Sequence, residues 1–154
     1  MRGSVAARIV WCMPPEPVLG DTWLAILTSL KAFRGTWPAR GWSWDGRQSC
    51  VASSIGAELE VEARKAASVA LPREWTSRTI DRAPPELREL AERTGGLRDG
   101  QMLFASNAVG AAFAYGLWWP WGDGITISTR IGLGGLNPQP DALQRLRDVF
   151  SVQS

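Results

Sequence analysis

The chain has 154 residues, about one domain's worth and enough to bury roughly 70% of its unfolded surface without a disulfide or a metal. Apolar residues make up 45% and charged residues 21%, which excludes a disordered, collagenous or coiled-coil chain. The net charge of +2, carried by 15 arginines and two lysines, is too small for a dedicated nucleic-acid-binding face.

Val5–Met13 has the pattern of a short strand, stopped by Pro14, Pro15 and Pro17. Asp21 is a suitable N-cap for a helix through Phe33, whose Trp23, Ile26, Leu27, Leu30 and Phe33 follow the spacing of one buried stripe. Gly35 supplies its stop. Residues 35–50 have no clear period, and Asp45-Gly46 is a turn signal. This stretch is expected to be a loop or short hairpin with exposed aromatic edges, Trp42 and Trp44 among them. Residues 57–70 are ambiguous between strand and helix. Glu58 to Glu62 alternates, but the helix formers of Ala63–Ala70 and the stop at Pro72 favour a helix from Ala57 to Ala70. Pro84-Pro85 opens a second helix, Glu86–Arg93, with Leu87, Leu90 and Ala91 inward and Gly95-Gly96 beyond it.

The last third reads as a meander of Gln101–Ser106, Ala111–Trp119 and Ile125–Leu133, followed by a helix opened by Pro140-Asp141. That helix turns Leu143, Leu146, Val149 and Phe150 inward. Asp123-Gly124 marks the hairpin turn between the last two strands. An even loop there sets Leu117 opposite Arg130 and Trp119 opposite Ser128. One sheet face then carries Phe113, Tyr115, Leu117 and Trp119 beside Thr126, Ser128, Arg130 and Gly132. The other carries Ala114, Gly116 and Trp118 beside Ile127, Thr129, Ile131 and Leu133, with Ile125 in line. The isoleucine face has the composition of core. Strands cluster late instead of alternating with helices, so the expected fold is α+β: a single domain over 1–154, mainly antiparallel, with three to four helices packed on the sheet.

The nine tryptophans and the complete absence of histidine are the most informative features for function. Without histidine there is no Ser-His-Asp or Cys-His nucleophile system and no histidine-containing zinc site. Two cysteines cannot supply a four-cysteine zinc site, so neither cofactor nor metal is expected. Cys12 and Cys50 read as small packing residues. Thr28 and Lys31, one helical turn apart, read as a threonine beside a solvated lysine. Glu58, Glu60 and Glu62, and Glu74 with Asp81, are the acids from which a histidine-free, carboxylate-based enzyme would draw; a solvated face explains them as well. Gly132-Leu133-Gly134-Gly135 precedes a helix, as a phosphate loop would, but lacks its lysine and third glycine, and reads as a turn.

Arg34, Arg40 and Arg47 interleave with Trp37, Trp42 and Trp44, a pattern of single-stranded nucleic-acid binders and equally of a protein-binding edge. The charge-free stretch Gly100–Gly122 is long enough to span a bilayer, yet its mean hydropathy over 102–120 is only about +1, and paired strands suit it better. The start of the chain has no secretory pattern, which makes a cytoplasmic location the expectation. The reading favoured is a tryptophan-rich, non-enzymatic protein-binding module, of an immunity, adaptor or chaperone-like kind. Its surface would be formed by Tyr115, Trp119, Trp121, Arg130, Trp42 and Trp44. The alternatives are a small-ligand binder with a tryptophan-lined pocket and the carboxylate-based enzyme. Nucleic acid and membrane are not expected as partners.

Overall fold

A computed structural model describes residues 15–39 and 41–152, with side chains from Thr22 onward. The elements are α1 Pro15–Thr36, β1 Ser43–Asp45, β2 Cys50–Gly56, α2 Glu60–Ala70, β3 Arg73–Thr76, α3 Pro85–Arg93, β4 Met102–Ala105, β5 Phe113–Pro120, β6 Thr126–Gly134 and α4 Pro140–Val149. All six strands lie in one sheet of order β1-β2-β6-β5-β4-β3, and every neighbouring pair is antiparallel. The fold is therefore α+β, with β4, β5 and β6 as the meander expected from the sequence.

Local chemistry explains most boundaries. α1 begins at Pro15, six residues before Asp21. The prolines were expected to break the chain, but the first turn of a helix has no acceptor for its own N–H groups, so proline costs nothing there. The expected strand Val5–Met13 lies outside the described residues. Trp23, Ile26, Leu27, Leu30 and Phe33 are all buried, as their spacing requires. α2 continues from a 3-10 turn at Ala57–Leu59 and buries Ala63, Ala66, Ala67 and Ala70, a row small enough for α2 to lie close against α1. α3 and α4 each start on a proline.

Two strands have no clear signal in the sequence. β2 is Cys-Val-Ala-Ser-Ser-Ile-Gly, where small polar residues blur the alternation of buried Val51, Ser53 and Ile55. β3 is only four residues long, and as an edge strand it tolerates Arg73 and Glu74.

Helices α1, α2 and α4 pack on one face of the sheet, over Val51, Ile55, Gly116, Trp118, Ile127, Ile131 and Leu133. Ring contacts knit this layer: Phe33 to Trp37 at 5.2 Å, Trp42 to Phe150 at 4.5 Å, and Trp118 edge-on to Trp37 at 6.5 Å and to Phe104 at 6.0 Å. Gly116 leaves room for the side chains of Leu71 and Ile131, which a Cβ there would meet at 2.9 and 3.2 Å. Thr129, buried in the same layer, donates its hydroxyl to the Leu117 carbonyl at 2.8 Å. The second face is covered by α3 and its approach, whose Ala83, Leu87, Leu90 and Ala91 close over Leu103, Ala105, Phe113, Tyr115 and Leu117. Every sheet residue in that second cluster comes from β3, β4 or β5.

Among the described residues no helix is long and apolar enough to cross a membrane. The charge-free stretch Gly100–Gly122 forms β4, β5 and their connection.

Candidate functional site

The β5–β6 hairpin has the register expected from an even loop, with Leu117 opposite Arg130 and Trp119 opposite Ser128. Trp121 N–H donates to the Thr126 carbonyl at 2.8 Å and closes the turn. Asp123 fixes the tip: its carboxylate accepts the N–H of Ile125 at 2.9 Å and of Thr126 at 3.0 Å, and the Thr126 hydroxyl at 3.0 Å. Those backbone hydrogen bonds hold the Asp123 carboxyl below its ordinary range. Ile125 was expected to face inward with the other isoleucines. It belongs to the turn instead and is exposed, because the strand begins one residue later.

The expected aromatic surface is only partly realised. Tyr115, Trp119 and Arg130 share one sheet face, but Tyr115 is only 4% exposed because α3 covers it. Tyr115 is core, and its place at the centre of a surface is withdrawn. Trp42 and Trp44 were expected as exposed aromatic edges. Both are half-buried and pack toward the helix layer, Trp42 on Phe33, Trp37 and Phe150, and Trp44 under the Arg147 guanidinium at 4.5 Å. The reason is register: Trp44 stands opposite Val51, which is opposite Ile131 on the core face.

What remains open is the β1–β2–β6 half of the second face. Its floor consists of two rows across the sheet, Ser43–Ala52–Arg130 and Ser54–Ser128–Trp119. Trp121 stands beside it, 55% exposed, and its indole N–H donates to Ser128 Oγ at 2.6 Å. The Ser54 and Ser128 hydroxyls lie 3.5 Å apart. Together with Gly41 and Trp42 at the rim, Ser43, Ala52, Ser54, Ser128, Arg130 and Trp121 line an open groove of about 520 Å³.

Arg130 is the charged side chain of this groove, and two neighbours fix it. Its Cζ lies 5.0 Å from the centroid of the Trp119 ring. Its Nε donates to Asp45 Oδ2 at 3.1 Å. Asp45 is held in turn by the N–H groups of Arg47 at 3.0 Å and Gln48 at 3.3 Å, both to Oδ1. Partial desolvation works to raise the Asp45 carboxyl. The hydrogen bonds from Arg130, Gln48 and Arg47, with the Arg130 charge, outweigh it and hold the group below the usual carboxylate range. Asp45 is thus an ionised anchor at neutral pH.

The other candidates separate. Thr28 donates its hydroxyl to the Leu24 carbonyl at 2.8 Å, and Lys31 points to solvent. Glu58 folds back over Gly56, and among the described residues no three of His, Cys, Asp and Glu form a group able to hold a metal ion. The Gly132–Gly135 run lies largely within β6, where its glycines accommodate rings: Tyr115 lies over Gly132, and Phe113 lies 2.9 Å from where a Gly134 Cβ would stand. Cys50 is a free, fully buried thiol; Cys12 lies outside the described residues. A larger depression of about 770 Å³ lies between the end of α1 and α4, lined by Lys31, Arg34, Trp37 and Asp148. The carbonyl ends of both helices disfavour an anion there.

Comparison with protein-family models, with curated proteins and with solved structures returned no match.

Proposed function

We propose that this chain is a non-enzymatic protein-binding module whose partner docks on the uncovered half of the second sheet face. The observation that carries the reading is the incomplete helix layer. α3 closes over β3, β4 and β5 with Trp119 packed at the edge of that cluster, while Trp121 and Arg130 remain outside it. Tryptophan and arginine are the residue types that dominate binding energy at protein interfaces, where rigid aromatic rings lose little side-chain entropy. Here both are oriented before any partner arrives, the arginine by Asp45 and the exposed indole by Ser128.

The two acids with displaced titration, Asp45 and Asp123, are displaced downward, away from what a general acid needs. That weighs against the carboxylate-based enzyme. A small-ligand site draws support from the concavity and its hydroxyls, but the groove is open on one side and its floor is small side chains.

The experiment is affinity capture from cells of the source organism, with wild type, Trp121→Ala and Arg130→Ala as baits. A protein retained by wild type and lost with both variants is expected. Equal recovery by all three baits would refute the proposed surface.

A further inference from the structure

We infer that the groove receives an extended segment of the partner bearing an aspartate or glutamate, and that the outer edge of Arg130 is the receptor for its carboxylate. This rests on the reading of the groove as a partner surface.

Arg130 uses one donor internally. Nε donates to Asp45, and among the described residues the guanidinium makes no other hydrogen bond. The two Nη groups form the planar fork that matches a carboxylate with two parallel hydrogen bonds. Asp45 does not compete for that edge, because Oδ1 is taken by two backbone N–H groups and Oδ2 by Nε. The internal pair therefore aims the fork instead of saturating it. Trp119 backs the guanidinium from one side and limits its swing. Arg47 lies in the turn beside Asp45 and adds a second positive charge at that end. The groove thus presents a cationic end, complementary to an acid, and an exposed indole at Trp121, complementary to an apolar neighbour of that acid.

The geometry also points to an extended segment. β1 pairs with β2 only over Cys50–Ala52, whereas β2 pairs with β6 from Val51 to Gly56. Ser53–Gly56 consequently run on with no strand along their outer side among the described residues. The floor beside them is serine and alanine, low enough for a flat chain to lie across, and the Ser54 and Ser128 hydroxyls can meet its peptide groups.

The test is selection of a random dodecapeptide library on the full chain, displayed at the N-terminus of a phage coat protein so that no free C-terminal carboxylate is offered. Selected sequences are then synthesised with amidated ends and titrated by the protein's tryptophan fluorescence. Peptides with an Asp or Glu beside an apolar residue are expected. Replacing that acid by Asn or Gln should weaken binding by about tenfold or more, and Arg130→Gln should cause a similar loss, the two losses not adding. The change in the peptide leaves the protein intact, so it decides the matter even if Arg130→Gln folds poorly. Enriched peptides that lack an acid, bind Arg130→Gln normally and fail on Trp121→Ala would overturn the acidic segment while sparing the partner surface. Acid-free peptides that bind only when given a free C-terminus would also overturn it, because the carboxylate would then come from a chain end. No enrichment over the unselected library would overturn both readings.

Discussion

Tyr115 on β5 lies across Gly132 on the neighbouring strand, so closely that a Cβ on Gly132 would run into the tyrosine ring. Beyond the glycine the hydroxyl lies within electrostatic reach of the Cys50 thiol on β2. A glycine that resembled part of a loop motif is therefore the seat of a buried aromatic residue. Gly132→Ala is expected to cost about 1–3 kcal/mol of stability, the usual range for overpacking a filled core. Denaturant unfolding measures it; a loss within the scatter of a surface substitution would mean that Tyr115 moves aside freely.

Burial, then the charge of Asp45, pushes the Cys50 thiol up to about 12 from an ordinary value of 9.0. Burial, then the neighbouring Cys50, raises the Tyr115 hydroxyl as well. In the unfolded chain both groups release their protons at ordinary values, so above pH 9 the folded state holds more protons than the unfolded state. Stability is then fully present below pH 9 and is lost as pH rises toward the folded-state value of about 12. Each withheld proton contributes a slope of about 1.4 kcal/mol per pH unit. Unfolding curves taken from pH 7 upward should show this decline, and Cys50→Ala with Tyr115→Phe should flatten it. An unchanged slope in the double variant would assign the alkaline loss elsewhere. Native Cys50 should also resist thiol reagents until the chain unfolds.

Arg130→Ala and Tyr115→Ala should separate binding from stability. The Arg130–Asp45 pair is partly buried, its side chains 27% and 19% exposed, but Asp45 keeps two backbone N–H donors, so removal of Arg130 should cost about 1–2 kcal/mol of stability, and partner affinity at least about 1 kcal/mol. Tyr115→Ala should do the opposite, with about 3–5 kcal/mol lost from the fold, as for other large buried aromatics. Equilibrium unfolding beside affinity measurements reads both. A large stability loss for Arg130→Ala would make the ion pair a structural element.

Chelator should leave the melting temperature unchanged, since the chain has no histidine and too few cysteines for a structural zinc site. A clear drop would direct attention to Glu58, Glu62 or Asp81 as ligands of a hard cation.

The hairpin was legible in the sequence down to its register, because a turn signal and period-two alternation leave no freedom once the loop is even. α1, α3 and α4 were legible from their stripes, save the start of α1, where prolines act as first-turn residues, whereas α2 showed only as helix formers ahead of Pro72 after an alternating Glu58–Glu62. The site was less legible. Which half of a sheet face a helix covers is set by tertiary packing, and nothing local to Tyr115 distinguishes it from Trp119. A signal did exist: the stripe Leu87, Leu90 and Ala91 requires an apolar seat, and β4 together with the aromatic face of β5 is the seat it found. The Asp45–Arg130 pair spans 85 positions and depends on β2, the strand that its small residues conceal.

The docking surface is tested most directly by a photo-crosslinking residue placed at position 121 and, for comparison, at Val61 on the outer side of α2, which is 78% exposed. The two variants would be expressed in cells of the source organism and irradiated. A discrete crosslinked protein from position 121, suppressed by Arg130→Gln and absent from position 61, is the result the docking surface predicts. Crosslinks from position 61 with none from position 121, or equal and diffuse labelling at both, would contradict it.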